Sequence, residues 1–423
     1  MKSGPNRIAI TGLGIISCLG LNREQVTESL ALGRSGIQLL PDRKARGFLS
    51  SLSGVVSDFN PKDHLDRKKR KSMPDFTVWA WAAVDQALAQ AGIDRARLAG
   101  DHRSGMIFGN DSSAVTAVEQ VEMLKETGET RQIGSGHIFR LLNSTITLNI
   151  STILGLQGAV WTVSSACASG AMAIGQGAEL IATGRQDRMI CGGAQEISWQ
   201  SMCSFDTLGA FSRREEDPAG ASRPFDRERD GLVPSGGSAA VFLESFASAQ
   251  SRGATILGEI LGYGHAADGY HIVMPSGKGI ERAMATALDD ADLLTEKIDL
   301  VLAHATSTPV GDEAEGQALQ AIFRPDQDHP SPLVTAVKGL TGHEFWMAGA
   351  SQVVYGLLMA GGGFVAGNRN LEHPDESVKA LRLPREKVYN RSRFLLCNAA
   401  GFGGTNACLV IRNNQGSESL DLS

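Results

Sequence analysis

The sequence predicts an α/β fold with largely buried sheets, and three observations support this. Short runs of β-branched and aliphatic residues alternate along the chain with longer segments of helical character. These runs are nearly continuous in apolar residues, which is typical of strands covered on both faces. Glycine, at 49 of 423 residues, is concentrated in short apolar contexts, which indicates tight turns and close backbone packing.

The first half of the chain is predicted to begin with a strand that closes in Gly-Leu-Gly. Its second predicted helix is long and ends at Gly92, a typical helix terminator. The charged segment 212–231 is predicted to be a loop. The predicted strands are 7–14, 104–110, 158–166, 188–194 and 238–245, and the helical segments are 23–33, 75–92, parts of 114–155, and 168–184.

The second half continues the alternation of strands and helices. Its first strand, 254–266, is predicted to pair with 238–245. The other predicted strands are 298–306, 332–337, 394–400 and 407–412, and the helices are 279–291, 312–323 and one from about 347. Because WTVSSACASGAM and FLLCNAAGFGGTN both lead from a strand into small residues, we expect a duplication. The join is placed near residue 250, giving halves 1–250 and 251–423.

Composition excludes several classes of protein. The net charge of −6 argues against nucleic-acid or membrane-surface binding by the whole molecule, and 42% hydrophobic residues exclude a disordered chain. The six cysteines form no CxxC pair and no zinc-ligand spacing, which predicts reduced thiols, no metal and a cytoplasmic location. Residues 8–21 lack a signal-peptidase pattern, and 352–367 is too short to span a bilayer.

Cys167 is the first candidate for chemistry, because it stands where a buried strand runs into a helix. Unpaired N–H groups and the helix dipole at such a junction are expected to lower the pKa of a thiol. The neighbouring residues are all small, so a substrate could approach closely. The alternative is a buried structural cysteine. Ser165 is not predicted to be a hydrolase nucleophile, because the G-x-S-x-G elbow is absent.

Three further segments follow apolar strands and carry polar or flexible residues. His304 precedes Ala-Thr-Ser-Thr-Pro, and Lys338 and His343 bracket Gly-Leu-Thr-Gly. The glycine run 401–404 could turn backbone N–H groups toward a ligand. Each segment alone could be an ordinary loop or a core histidine. Together with Cys167 they predict a Cys-His-His site, since α/β folds place ligands at strand ends.

These segments, in this order, resemble the condensing enzymes of fatty-acid and polyketide synthesis, and more narrowly the elongating β-ketoacyl-acyl carrier protein synthases of types I and II. The resemblance covers nearly the whole chain. It implies a thiolase-like α-β-α-β-α layered sandwich of two duplicated halves, usually a homodimer, with acyl carrier protein as partner and no cofactor. The matching motifs are ITGLG, SSACASG, GGAQE, FDTLGAFS, SRPFDRERDGLV, HATSTPVGD, KGLTGH and GFGGTN.

The resemblance also implies a role for each site residue. Cys167 would take the acyl chain from the carrier protein. His304 and His343 would stabilise the enolate formed as malonyl-carrier protein loses carbon dioxide, and the carbanion would extend the acyl chain by two carbons. Lys338 would orient the histidines, and Glu315 would hold the lysine region. Thr306 and Thr308 would bind the phosphopantetheine arm, and the N–H groups of Cys167 and Phe402 would form the oxyanion hole. Phe402 would also gate the site, and Ala400 and Phe205 would line the acyl pocket.

The sequence departs from the family pattern beside this set. Ala305 and Ala400 replace a glycine and a phenylalanine, and the segment 344–349 reads Glu-Phe-Trp-Met-Ala-Gly where the family has small residues. Trp346 and Met347 are expected to put bulk where the family keeps a close backbone contact. We therefore predict a reshaped acyl pocket or dimer contact. A specialised ketosynthase, making polyenes or another acyl product with a non-identical partner subunit, remains open.

The basic run Arg67, Lys68, Lys69, Arg70 and Lys71 has two interpretations. It could be a solvated helix start, or it could dock the acidic carrier protein. No nucleic-acid recognition motif accompanies it.

Competing functions are weaker. A thiolase would need a second cysteine within the C-terminal glycine loop, and GFGGTN has none. An inactive chain-length-factor-like partner subunit would usually lack the nucleophile, whereas Cys167, both histidines and Lys338 are present. Gly12-Leu-Gly14 is not a dinucleotide-binding motif, because Ser17 stands where the third glycine belongs.

Overall fold

The computed structural model describes residues 6–325 and 331–415. Within these ranges there are fourteen β-strands, named in chain order. They are β1 (Ile8–Ile16), β2 (Ile37–Leu39), β3 (Leu52–Gly54), β4 (Ser104–Gly109), β5 (Val160–Val163), β6 (Arg188–Gln195), β7 (Gly237–Ser245), β8 (Gly258–Ala267), β9 (Leu300–Leu302), β10 (Leu333–Thr335), β11 (Phe364–Val365), β12 (Val388–Tyr389), β13 (Phe394–Gly401) and β14 (Thr405–Asn413).

The same ranges contain fifteen α-helices. They are α1 (Arg23–Leu32), α2 (Pro41–Ala45), α3 (Arg67–Arg70), α4 (Asp75–Ala91), α5 (Ala114–Thr127), α6 (His137–Leu141), α7 (Thr145–Leu154), α8 (Ser169–Ala182), α9 (Trp199–Thr207), α10 (Pro218–Ala221), α11 (Phe246–Ser251), α12 (Lys278–Ala291), α13 (Pro309–Phe323), α14 (Lys338–Thr341) and α15 (Ala348–Gly361). In this part of the chain, no helix combines the length and apolarity needed to cross a membrane.

Ten strands form one sheet in the order β10-β9-β13-β14-β8-β1-β7-β6-β4-β5. The sheet repeats itself about the β1–β8 contact. On one side β4 runs parallel to β5 and β6, and β6 is antiparallel to β7. On the other side β9 runs parallel to β10 and β13, and β13 is antiparallel to β14. The two sides therefore share one strand order and one set of directions.

The two halves of the sheet each pack one face on a shared central layer of helices and the other face on an outer helix layer, which gives five layers. Along β7, Ala239, Val241 and Leu243 join a central apolar cluster with α8 and α15, whereas Ala240 and Phe242 face α4 and α7. Strand β14 alternates in the same way between the central cluster and a third cluster with α12 and α13. This two-residue alternation buries all of β7 and most of β14. The predicted layered α-β-α-β-α sandwich is confirmed.

Most predicted elements are present, and one predicted pairing is wrong. Helix α4 ends at Gly92, whose φ of 66° is the left-handed conformation expected of a helix terminator. Strand β8 does not pair with β7, because β1 lies between them and pairs with both. Helix α11 connects β7 to β8 and carries the chain past β1, which a tight hairpin could not do. The stretch 114–155 contains three separate helices, α5 to α7.

The two segments that suggested a duplication do not occupy equivalent places in the sheet. Strand β5, which carries WTV, lies at the sheet edge, and its topological counterpart is β10. The counterpart of β13 is β6, and both of these run next to an antiparallel strand. The small residues after β5 and β13 are therefore similar because both segments lie beside the site. The two strands themselves occupy different positions in the sheet.

Strand direction brings the candidate segments together. The parallel strands β9, β10 and β13 end at one edge of the sheet, so the loops carrying His304, His343 and the glycine run start side by side. Strand β5 delivers Cys167 from the other side of the sheet. Helices α8 and α15 cross closely, because Gly170 has no side chain: a Cβ there would lie 2.9 Å from the N of Ala350.

Candidate active site

Cys167 lies in the short turn that joins β5 to α8. The N–H of Ser165 donates to Oγ of Ser169 at 2.8 Å, and that hydroxyl donates to the carbonyl of Ala166 at 2.6 Å. The N–H of Ala166 donates to a carboxylate oxygen of Asp111 at 3.1 Å. Ala166 has a φ of 47°, which is strained for a residue with a Cβ. These hydrogen bonds hold a strained turn that presents Cys167 at the start of α8.

The two histidines flank the thiol. Nε2 of His343 lies 3.1 Å from Sγ of Cys167, and the rings of His304 and His343 meet edge-on with centroids 5.2 Å apart. Burial and the charge of Lys338 hold the pKa of both imidazoles well below the usual value, so both are neutral. Among the described residues neither Nδ1 has a hydrogen-bond partner. The proton is therefore favoured on Nε2, because a buried N–H without an acceptor is costly.

Glu315, on α13, holds the loop that carries His304. One oxygen accepts from the N–H of His304 at 2.8 Å and from the amide of Asn398 at 2.6 Å, and the other accepts from the N–H of Ala305 at 2.6 Å. The carboxylate thus ties the loop after β9 to β13. Ala305 is buried in the cluster with α12 and α13, so this departure from glycine is accommodated as core packing.

Thr306 and Thr308 stand side by side beyond His304. Their Oγ atoms are 3.1 Å apart. Asp312, in the first turn of α13, accepts from the N–H groups of Thr306 at 2.9 Å and Ser307 at 3.0 Å. Burial raises the pKa of Asp312 to about 7, and the charge of Arg229 opposes the rise. The carboxylate fixes the backbone that presents both hydroxyls.

Lys338 lies behind the thiol, at the start of α14, and is 3% exposed. Burial lowers the pKa of its ammonium to about 8, although the carboxylates of Glu315 and Glu344 oppose that change. The charge of Lys338 lowers the pKa of Cys167 and of both histidines. It therefore acts on the site through its electric field.

The thiol of Cys167 does not have the lowered pKa that its helix-start position predicted. Burial raises the pKa of Cys167 to about 12, Lys338 opposes the rise, and Asp111 adds to it. The prediction is wrong because loss of solvation outweighs the nearby positive charge. When a substrate carbonyl lies next to Sγ, two interactions favour the thiolate of Cys167: a hydrogen bond from His343 and the positive charge of Lys338.

A cavity of about 280 Å³ connects these groups. Cys167, His304 and His343 line it. Six other residues predicted for the site also line it, and they are Thr306, Thr308, Glu315, Ala400, Gly401 and Phe402. Exposed aliphatic side chains surround the cavity, including Leu208, Ile272, Met274 and Val310. The predicted Cys-His-His constellation is therefore one continuous site, with Lys338 just behind its wall.

The glycine run after β13 packs directly against the cysteine turn. A Cβ on Gly401 would lie 2.9 Å from the backbone N of Cys167, so only glycine fits there. Oγ of Thr405 donates to the carbonyl of Ser165 at 3.0 Å, and the N–H of Gly403 donates to the carbonyl of Ile272 at 2.8 Å. The run thus joins the nucleophile turn to the rim of the cavity.

Phe205 belongs to an aromatic cluster on the other side of Cys167. Its ring centroid lies 4.8 Å from that of Phe345, 6.4 Å from Trp346 and 5.9 Å from Phe402. Ala400 lines the cavity, whereas Phe205 packs behind Phe345, outside that lining. The two predicted pocket residues therefore lie in different parts of the site.

The large side chains of Trp346 and Met347 do not disrupt the close backbone contact with α8, although the sequence predicted that they would. The carbonyl oxygen of Trp346 would lie 3.0 Å from a Cβ on Gly170, so the tight approach to α8 is kept. The indole turns into the aromatic cluster, where its N–H points at Oγ of Ser112 at 3.4 Å. Met347 is fully buried in the central apolar cluster.

The basic run forms α3 and lies outside the cavity lining. Asp66 accepts from the N–H of Lys69 at 2.9 Å and caps the helix. Arg67, Lys68, Lys69 and Lys71 are exposed, and half-buried Arg70 donates to the carbonyl of Leu65 at 3.0 Å.

Three acidic residues at the site were not singled out from the sequence. Asp111 supports the cysteine turn, Asp312 supports the threonine loop, and Glu344 faces Lys338. The signal for Asp312 is its place in the first turn of a helix that follows Ser-Thr-Pro, where a carboxylate can accept from preceding N–H groups. Asp111 carries no comparable local signal, because its partner Ala166 lies 55 residues away. Glu344 has partners 7 and 11 residues further along the chain, but no recognised motif marks them.

Comparison with known proteins agrees with this geometry. Residues 5–249 match the family profile described as β-ketoacyl synthase, N-terminal domain, and residues 257–372 match that of the C-terminal domain. The chain belongs to the β-ketoacyl synthase family. It is therefore an acyltransferase of the condensing-enzyme class, and the reading as an inactive partner subunit is not favoured. In the described part of the chain, no group of His, Cys, Asp and Glu side chains is arranged to hold a metal ion.

Relatives of this β-ketoacyl synthase cover nearly all of its length. The 3-oxoacyl-[acyl-carrier-protein] synthase 1 of Haemophilus influenzae is 36% identical over 97% of this chain and 100% of its own. The crystal structure of a β-ketoacyl synthase from Burkholderia phymatum superposes with a TM-score of 0.91 at 33% identity, covering 97% of this chain and 100% of that one. The ishigamide ketosynthase/chain length factor gives a TM-score of 0.88 at 29% identity, over 96% and 99% of the two chains.

Proposed function

We propose that this protein condenses malonyl-acyl carrier protein with an acyl chain held on Cys167, extending the chain by two carbons in fatty-acid or related polyketide and polyene synthesis. The observation that carries the proposal is the 3.1 Å contact between Sγ of Cys167 and Nε2 of His343, with His304 edge-on beside it in one cavity.

In the first half-reaction, Sγ of Cys167 attacks the acyl thioester. The Nε2–H of His343 and the charge of Lys338 stabilise the developing thiolate. The carbon–sulfur bond to phosphopantetheine breaks, and the departing thiolate takes up the proton that Cys167 gave up. The backbone N–H groups of Cys167 and Phe402 would hold the transient oxyanion, and the tight contact at Gly401 supports this pairing.

In the second half-reaction, malonyl-carrier protein replaces the free carrier protein. Neutral His304 and His343 donate from Nε2 to the thioester oxygen as carbon dioxide leaves and an enolate forms. The enolate carbon attacks the acyl carbonyl on Cys167, and the thiolate of Cys167 leaves. Neutral histidines suit this step, since each then carries one donor and the enolate supplies the acceptor.

The arm and the carrier protein have separate binding surfaces in this proposal. Thr306 and Thr308 would hydrogen-bond the phosphopantetheine arm, because both line the cavity between its rim and His304. The exposed basic run 67–71 would attract the acidic carrier protein by long-range electrostatics. Ala400 and Phe205 would shape the acyl pocket, because Ala400 lines the cavity and Phe205 belongs to the aromatic cluster beside it.

We propose further that the chain consists of two duplicated halves, 1–250 and 251–423. The repeated strand order and directions on the two sides of the β1–β8 contact support this. The nucleophile would then come from the first half and both histidines from the second.

We also propose a homodimer built through β5. This strand ends the ten-stranded sheet, and Trp161 on it is 39% exposed. Ile138, Phe139 and Leu142, in the segment before β5, are also exposed. An exposed apolar edge strand is suited to pairing with a second sheet. Light scattering should give about twice the chain mass of 44.8 kDa. A monomer that needs a non-identical subunit for activity would instead support a heterodimer. The reduced catalytic thiol fits a cytoplasmic enzyme.

Intact-protein mass spectrometry with a panel of acyl-carrier proteins tests the proposal. Wild-type protein should gain the mass of one acyl group, mapped to Cys167, and Cys167→Ala should gain none. Acylation of the Ala variant at the same site peptide would overturn the nucleophile assignment. The preferred acyl chain would identify the pathway.

A further inference from the structure

Lys338 is a buried cation whose charge has to be compensated by its surroundings. Within the described residues its Nζ has no hydrogen-bond partner. The negative charges that act on it through space are those of Glu315, Glu344, Cys167 and Asp312, in decreasing order. An ammonium removed from water stays protonated only when nearby negative charge offsets the lost solvation.

Glu315 is already committed to other partners. It accepts three hydrogen bonds, from the backbone of residues 304 and 305 and from Asn398. Asp312 likewise accepts from backbone N–H groups and faces Arg229. Both carboxylates still act on Lys338 by charge, and Glu315 does so more strongly than Glu344.

Glu344 is the carboxylate that connects the charge around Lys338 to the second histidine. It follows His343 directly and is 2% exposed. One oxygen accepts from the hydroxyl of Tyr355 at 2.6 Å, and the other accepts from the hydroxyl of Ser351. Both partners lie on α15, so the side chain fastens the residue after His343 to the central helix layer. Burial raises the pKa of Glu344, and these hydroxyls together with Lys338 oppose the rise.

We propose that Glu344 is a positioning residue that keeps Lys338 protonated beside Cys167 and fastens the His343 loop to α15. This inference rests on the proposed condensation reaction. Without the carboxylate, Lys338 loses its proton at a lower pH. The field that favours the thiolate of Cys167 then disappears over the same pH range, whereas burial keeps both histidines neutral.

The test is the pH profile of kcat/KM for condensation by the full-length Glu344→Gln protein. The amide has nearly the shape of the carboxylate and can still accept from Tyr355, so the main change is the loss of charge. The alkaline limb should move to lower pH by about one unit, the size expected for removal of one nearby opposite charge. Acyl-enzyme should still form at pH 6.5, where Lys338 remains protonated.

Two further variants separate charge from packing. Glu344→Asp keeps the charge but is too short to reach both hydroxyls, so kcat should fall while the alkaline limb stays within about 0.3 units of wild type. Glu196→Gln neutralises another buried glutamate, which accepts from the N–H of Ala114 at 2.6 Å, and should leave the limb in place.

The proposal is overturned if Glu344→Gln keeps the wild-type alkaline limb, or if Glu196→Gln shifts it equally. If the Gln variant does not fold, the Asp variant decides, since a shifted limb with the charge retained also contradicts the inference. Failure of wild-type protein to form any adduct on Cys167 would instead refute the proposed function.

Discussion

Substitution of Gly401 by alanine tests how closely the glycine run supports the nucleophile. The new Cβ would lie 2.6 Å from Oγ of Thr405, 2.9 Å from the N of Cys167 and 3.0 Å from the Cβ of Ala166. Real Cβ atoms rarely approach neighbours this closely, so at least one neighbour must move by about half an ångström. Thr405 is tied to the carbonyl of Ser165, and the Ala166 turn is already strained.

The movement therefore falls on the backbone N of Cys167, which is one of the two proposed oxyanion donors. Loss of one such donor typically lowers kcat by about 10²- to 10³-fold. The overlap should also lower the free energy of unfolding by about 1–3 kcal/mol. We expect Gly401→Ala to slow acyl transfer to Cys167 by about 100-fold, because the tetrahedral intermediate loses a hydrogen bond.

The assay follows acyl-enzyme by rapid quench and intact mass, in parallel with alkylation of Cys167 by iodoacetamide, which needs no oxyanion hole. Alkylation should stay within about threefold of wild type, since thiol reactivity depends on its ionisation. Gly403→Asn is the matched control, because no atom lies within 4 Å of its Cβ position and asparagine tolerates its φ of 73°. Wild-type acylation by a folded Gly401→Ala protein would refute the reasoning, and equal loss of alkylation would show that the run supports the thiol instead.

Three further predictions follow from the site. His343→Ala should remove most decarboxylation of malonyl-carrier protein while part of self-acylation remains, measured as carbon dioxide release against acyl-enzyme mass. Retained carbon dioxide release, or equal loss of both activities, would contradict this prediction. Reversing the charge at Lys68 and Lys69 should raise KM for carrier-protein substrates several-fold, while turnover of acyl-pantetheine stays unchanged. An unchanged KM would indicate that the basic run is only a solvated helix. Asp111→Asn keeps an oxygen for the N–H of Ala166 but removes a negative charge that raises the pKa of the nucleophilic thiol. The pH midpoint of thiol alkylation should then fall by about half a unit to one unit, and a rise would contradict the assigned sign.

Sequence patterns were most reliable where the signal is local. Gly92 ends α4 as predicted, since a left-handed residue after an amphipathic run is a short-range requirement. Cys167, His304 and His343 were found because each follows an apolar strand. The parallel strands β9 and β10 bring the two histidine loops together, and β5 brings Cys167 from the other half of the sheet. The pairing of β7 with β8 was wrong, because neighbours in sequence are neighbours in a sheet only when no other strand lies between them.

The departures from the family pattern show a second limit. The sequence indicated bulk at Trp346 and Met347 but not its direction. In the structure, backbone geometry keeps the carbonyl of Trp346 against Gly170 while the indole turns toward Phe205. A change in side-chain volume identifies a place of interest, and only the fold decides which neighbours receive that volume.

The sequence by itself determined the class of fold, the order of the elements and the identity of the reacting groups, because these depend on short-range periodicity and on residue type. Tertiary structure alone decided the electrostatics. Burial raises the pKa of Cys167 against its helix-start position, and the charge of Glu344 acts on Lys338 because both side chains are buried in the folded protein. Solvation and charge–charge energies depend on distances in space, so they are set only when the strands and helices have packed.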